Sequence, residues 1–131
     1  LDPKESIRFS RTGASLVDSK SLHMQGSRKG LEAAFQRLKN RTHQVYVHID
    51  MDIVDPVVAR SKDFAPAGGL TVEQIVEALH MIKAHFHIRA ATLAACDPDS
   101  DKEGKAITAG LIFAQVMVPV GTTTVNSVDG D

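Results

Sequence analysis

Val45-Tyr46-Val47-His48-Ile49-Asp50-Met51-Asp52-Ile53-Val54-Asp55-Pro56 is the stretch that decides the reading of this chain. An apolar, β-forming run leads into three acids and stops at a proline. Strand alternation puts His48, Asp50 and Asp52 on one face. Two carboxylates two residues apart at the end of a buried strand are costly without a cation or a shared proton between them. A divalent metal ion is the simplest such partner, which makes Asp50 and Asp52 candidate metal ligands. The plainer alternative is a strand end closed by turn-forming Asp and Pro.

Upstream, Ser27 to Asn40 is predicted to be a helix, because Leu31, Ala34, Phe35 and Leu38 follow the spacing of one apolar face. Residues 1–26 are polar and mixed. Ile7-Arg8-Phe9 suggests a short strand before Gly13, and Ser15 to Gly26 a loop with room for a short helix. Downstream, Val57 to Gly69 is a long loop, of the kind that compact domains keep for function. Thr71 opens the clearest helix, with Gln74 as its capping-box partner and a stripe of Val72, Ile75, Val76, Leu79, Ile82 and Phe86.

Ile88 to Cys96 reads as a second buried strand, ending in the acidic loop Asp97-Pro98-Asp99-Ser100-Asp101. Ser100 and Glu103 suggest another capping box. A helix from about Lys102 to Val118 is apolar around most of its circumference, which predicts deep burial. Thr122 to Val125 is β-prone. Strands alternating with helices argue for an α/β fold, a parallel sheet with helices on both faces, whose ligands gather at the carboxyl ends of the strands.

The 131 residues are enough for one domain at most, and 43% hydrophobic content is enough for a packed core. A net charge of −1 gives no electrostatic case for nucleic acid or an anionic membrane surface; the basic residues are scattered, with a mild cluster at Arg37, Lys39 and Arg41. No apolar run reaches the length of a membrane span, and no signal peptide is visible. The single cysteine, Cys96, forms no internal disulfide, which fits a cytoplasmic protein and a small core residue. The chain begins at Leu1 in a polar stretch, as a piece of a longer protein would.

Two metal-site patterns match the acidic stretch. Asp50-Met51-Asp52-Ile53-Val54 fits the short motif of haloacid-dehalogenase-like phosphotransferases, in which one acid is nucleophile and the other acid/base around magnesium. That chemistry also needs a later lysine and an acidic pair, for which Lys105 with Asp97 and Asp99 are weak candidates. The second match is longer. His48-Ile49-Asp50-Met51-Asp52-Ile53-Val54-Asp55-Pro56, then eleven residues, then Gly68-Gly69-Leu70-Thr71, resembles the arginase/agmatinase (ureohydrolase) family. The resemblance continues through the second strand to Pro98 and Asp101, then Gly104-Lys105 and the Ala-rich helix, covering roughly Val45 to Val116.

The resemblance implies that residues 1–131 are the carboxyl-terminal portion of a single ureohydrolase-like domain, with Asp50 and Asp52 ligating a pair of manganese ions. It implies a bridging water that attacks the carbon of a guanidino or formimino substrate, and assembly into trimers or hexamers. Asp55 reads as a turn residue. Three features depart from the family pattern. Its other metal ligands, in Gly-Asp-His and Asp-Ala-His-x-x-Asp segments, have no counterpart here. Ala95 stands where the family carries a Glu that contacts the guanidinium, leaving Asp97 as a partial replacement by alternation, and pointing to a less cationic substrate or a non-catalytic relative. His48 occupies a position that is often a small hydroxyl residue, and reads as a core histidine bonded to backbone. His80, His85 and His87 read as structural or solvated.

Overall fold

A computed structural model describes residues 3–58, 68–97 and 99–118. Helices α1 (Pro3–Ser10), α2 (Ser19–Gln25) and α3 (Ser27–Lys39) precede strand β1 (Gln44–Asp50), which ends in a 3-10 turn at Met51–Ile53. Helix α4 (Val72–His85), strand β2 (His87–Ala94) and helix α5 (Lys105–Met117) follow. β1 and β2 pair in parallel, Gln44 opposite His87 and Asp50 opposite Ala94, with an irregularity between Val45 and Tyr46. Parallel neighbours need a crossover, and α4 supplies it.

Each element has a local cause. Asp18 caps α2 by accepting the Ser21 N–H at 2.7 Å. In α4 the Thr71 side chain accepts the Gln74 N–H while the Gln74 side chain accepts the Thr71 N–H, a complete capping box. Lys83 and His85 in the last turn of α4 suit its dipole. Phe35 of α3 meets Phe86 edge-on at 5.8 Å, which fixes α3 against the end of α4. The core joins Val47 and Ile49 of β1 to Met51, Val54, Leu70, Ile75 and Leu79, with Ala106, Ala109, Phe113 and Met117 of α5 on top. Burying side chains such as Phe113 and Met51 contributes about 1.5–3 kcal/mol each.

Five expectations change. β2 ends at Ala94, not Cys96, and is exposed along most of its length rather than buried, as an edge of a sheet with two described strands. Ile7 to Phe9 lie in α1, not a strand. A strand needs a neighbour for its backbone groups, whereas a helix satisfies them internally; no described strand lies beside this segment. β1 ends at Asp50 rather than Asp52. α5 begins at Lys105 and is buried along one side only: Ala106, Ala109, Phe113 and Met117 face the core, whereas Ile107, Leu111, Ile112 and Val118 are exposed. His48 is exposed with Tyr46 and Asp50, because the core packs against Val45, Val47 and Ile49, on the opposite face of β1. Thr122 to Val125, and most of the loop from Val57 to Gly69, lie outside the described residues. No described helix is long and apolar enough to cross a membrane.

Candidate metal centre

β1 delivers Asp50 to its carboxyl end, and Asp50 itself bends the chain there. Its Oδ1 accepts the N–H of Asp52 at 3.0 Å, and the Val54 N–H closes on Met51 O at 3.2 Å. A short side chain bonding a backbone amide two residues on is a turn device that competes with the strand ladder. Met51 consequently drops into the core at 1% exposure, while Asp52 is half-buried and Asp50 exposed. Strict alternation is lost, yet the two acids remain on one turn at the strand's carboxyl end.

Asp55 is a turn residue. Its Oδ1 accepts the Val57 N–H at 2.9 Å and its Oδ2 the Gly68 N–H at 3.0 Å. The Gly-Gly-Leu-Thr segment then crosses directly over the acidic turn. The Leu70 N–H donates to Ile53 O at 2.7 Å and the Asp55 N–H donates to Leu70 O at 3.0 Å. A Cβ on Gly69 would lie 2.6 Å from both Asp55 N and Ile53 O. Each residue of the segment therefore has a physical task. Gly68 takes φ +85°, Gly69 permits backbone contact, Leu70 is buried, and Thr71 caps α4.

The end of β2 is arranged differently from expectation. Ala95 adopts a left-handed φ of 59°, so the alternation that would align Asp97 with Ala95 ends at Ala94. Such a backbone costs a non-glycine residue about 1–2 kcal/mol. Asp97 is committed to its own turn, accepting the Asp99 N–H at 3.1 Å and the Ser100 Oγ–H at 2.8 Å. It does not replace a strand-end carboxylate. Ser100 and Glu103 form no capping box; Glu103 pairs with Lys105 at 2.6 Å on the surface. The side chain serving α5 is Asp101, 7% exposed, whose Oδ2 accepts the Ile107 N–H at 2.9 Å. That bond is the main cause that holds its carboxyl below the usual range, with the Ala106 and Lys105 amides assisting against a desolvation that works the other way. Sequence alone placed Asp101 in the acidic loop but did not disclose its role at α5, because the bond reaches six residues ahead, across Gly104 at φ +66°.

Cys96 is exposed rather than a core residue. Partial desolvation of its sulfur, then the negative fields of Asp101 and Asp97, push its thiol up. His80 and His87 are exposed, and His85 sits beside the rings of Phe35 and Phe86.

Asp50 and Asp52 are hard oxygen donors on one turn, which suits manganese or magnesium. The hydrogen bond to Asp50 Oδ1 leaves that carboxylate with further lone pairs, so the pair fits a metal chemically. Among the described residues no group of three or more His, Cys, Asp or Glu side chains is placed to surround an ion. The phosphotransferase alternative loses its support here, since Lys105 is paired with Glu103 and Asp97 is committed to a turn.

The arginase family model matches residues 2–118. An arginase from Agrobacterium fabrum is 29% identical over 105 residues, covering 80% of this chain and 32% of the relative; the chain thus spans about a third of its length. An arginase from Bacillus caldovelox superposes with a TM-score of 0.80 at 23% identity, over 89% of this chain and 39% of that one. The formimidoylglutamase of Bacillus subtilis superposes with a TM-score of 0.81 at 15% identity, over 88% of this chain and 36% of that one. With the family match covering most of the chain and the same fold in both structures, the chain belongs to the arginase family.

Proposed function

We propose that this chain is the carboxyl-terminal portion of a manganese-dependent ureohydrolase that cleaves C–N bonds in a linear amidine. The observation that carries the reading is the Asp50–Asp52 turn, fixed at the strand end by the Gly69 crossing, in a chain of the arginase family. Asp50 and Asp52 would hold the metal. Bound manganese supplies Lewis acidity and makes water a competent nucleophile at neutral pH. The chain's own contribution is to position those carboxylates. Met51 and Val54 close the floor of the turn to water, and Asp55 pins the following loop through both its oxygens.

Ala95 bears on the substrate. A guanidinium is best held by a carboxylate, and Ala95 provides none while Asp97 is occupied in its own turn. An amidine whose binding does not rely on that carboxylate, such as a formimino compound, suits such a site better than arginine. The same observation favours a second reading, a non-catalytic relative that keeps the fold. Self-association as a trimer or hexamer belongs to the proposal by family resemblance, and a cytoplasmic location by the single cysteine.

Manganese content, with release of urea from guanidino compounds and of formamide from formimino compounds, measured on the full-length protein, tests both. Metal bound with turnover of a formimino substrate and little turnover of arginine is the expected result. Metal bound with no turnover of any compound supports the non-catalytic relative. Absence of manganese after reconstitution would overturn the metal assignment.

A further inference from the structure

Charge is sorted along the strands. No acid occurs between Glu32 and Asp50, between Glu77 and Asp97, or between Glu103 and Val118. Acids return only at the carboxyl ends of the strands, at Asp50 and Asp97. The amino ends carry cations: Arg37, Lys39 and Arg41 before β1, and Lys83 and Arg89 around the start of β2. Parallel pairing of Gln44 with His87, with the His87 N–H donating to His43 O at 2.8 Å, sets the two groups side by side. Lys39, Arg41, Lys83 and Arg89 are exposed, and none forms an ion pair among the described residues. Lys39 and Lys83 have an ordinary explanation, as cations in the last turns of α3 and α4 that offset the helix dipoles. Arg89 lies in no helix. Val45 pairs with Ile88 and Tyr46 with Ala90, so Arg89 is an extra residue bulged out of the parallel ladder. Such bulges are rare in parallel pairs, and they re-aim a side chain. Arg89 lines a concavity of about 470 Å³ together with Lys83, His87, Gln44, Phe86 and Met117.

We propose that this concavity binds a phosphate dianion, free or as the head of an organic ester. Its lining holds two permanent cations, Lys83 and Arg89, and no acid to neutralise them. A phosphate with its second pKa near about 6 is close to doubly charged at neutral pH, and so matches the pair. A single carboxylate would leave one cation unmatched. The guanidinium of Arg89 offers a planar fork of donors to the phosphate oxygens, and the ammonium of Lys83 a compact charge. The Gln44 amide adds an uncharged donor, and Phe86 and Met117 give an apolar wall for the organic part of an ester. Gln44 and Asp50 are the two ends of β1, about 20 Å apart along a seven-residue strand. The anion site therefore shares no residue with the metal turn and does not depend on it.

The test is calorimetric titration of the metal-free full chain with phenyl phosphate, in a phosphate-free buffer of low ionic strength. Saturable binding of one phenyl phosphate per chain is expected. Arg89→Gln and Lys83→Gln are each expected to weaken it about tenfold, the equivalent of one charge-assisted hydrogen bond. Lys20→Gln, on α2, is expected to leave it unchanged. Both altered residues of the site are exposed, so the variants keep the fold, which circular dichroism checks. Inorganic phosphate separates the two sources: weaker binding than phenyl phosphate assigns the site to an ester, and equal binding assigns it to free phosphate. Benzoate, which keeps the ring with a single charge, is expected to bind about tenfold more weakly than phenyl phosphate. Benzoate as tight as phenyl phosphate, no saturable binding of either phosphate, or unchanged affinity in Arg89→Gln or Lys83→Gln overturns the proposal. The titration needs neither metal nor turnover, so its failure is separate from failure of the function proposed above.

Discussion

Replacing Gly69 with alanine puts a methyl group into a backbone crossing that has no room for it. The new Cβ would lie 2.6 Å from Asp55 N, 2.6 Å from Ile53 O and 2.8 Å from Val54 C. Ordinary contact begins at 3.4 Å, so the two backbones must part by about 0.8 Å (3.4 − 2.6). That movement stretches the Leu70–Ile53 bond from 2.7 Å and the Asp55–Leu70 bond from 3.0 Å to the limit of useful geometry or beyond. Losing both costs about 1 kcal/mol each. Forcing a group into a packed site adds about 1–3 kcal/mol. The expected loss is therefore about 3–5 kcal/mol, a large part of the roughly 5–15 kcal/mol that holds a typical domain. Gly68→Ala is the control. Gly68 has φ +85° but, among the described residues, nothing within 4 Å of a built Cβ, so it should lose only the left-handed backbone term, about 1–2 kcal/mol. Urea denaturation of the full chain, with the slope checked for constancy, reads both. A Gly69→Ala variant no less stable than Gly68→Ala would refute the crossing as the feature that fixes the acidic turn.

Asp50→Asn and Asp52→Asn should each lower manganese content by at least tenfold in elemental analysis while leaving the circular dichroism spectrum unchanged; retained manganese counts against the ligand assignment. Asp101 has a depressed carboxyl value in the folded chain, so its stabilising effect is present above the ordinary aspartate value of 3.8 and is lost as pH falls through the depressed one. Thermal melts of Asp101→Asn should lack that low-pH segment of the wild-type profile; an identical slope would remove Asp101 as the α5 cap. Phe113→Ala, at a residue with 0% exposure, should cost about 3–5 kcal/mol, whereas Leu111→Ala, on the exposed side of α5, should cost under about 1 kcal/mol in the same denaturation assay. Similar losses at the two positions would contradict the one-sided burial of that helix.

What the sequence discloses here is what neighbouring residues decide among themselves. The α4 capping box needs Thr71 and Gln74, three apart, and both strands and the periodic face of α3 are read from short windows. The family's signature was visible for the same reason, since Asp-x-Asp and Gly-Gly-Leu-Thr are contiguous. The features that escaped are set by distance or by a side chain overruling the backbone. Asp50 ends its own strand by bonding the Asp52 amide, so a pattern of alternation carried one residue pair too far. The exposure of His48, Cys96 and the outer side of α5 depends on which faces the helices cover, and apolar periodicity does not register that. The ring of His23 meets Gly69 O at 3.0 Å and Gln74 Nε2 at 3.3 Å, 46 and 51 positions away, with no local trace.

The Gly69 crossing also bears on the order in which the chain comes together. Joining Val54 to Leu70 closes a loop of 16 residues, whereas joining Gln44 to His87 closes one of 43. Loop-closure entropy makes the larger about 0.9 kcal/mol less favourable at the outset. Once the crossing has formed, the path from Gln44 to His87 shortens to the 10 residues before Val54 and the 17 after Leu70, about 27 in all. The smaller closure thus brings β2 within reach of β1, with α4 forming locally in between on a far shorter timescale. A glycine at position 69 is in this sense a kinetic device: it sets how soon the parallel pair of strands can meet, before any question of what the finished turn holds.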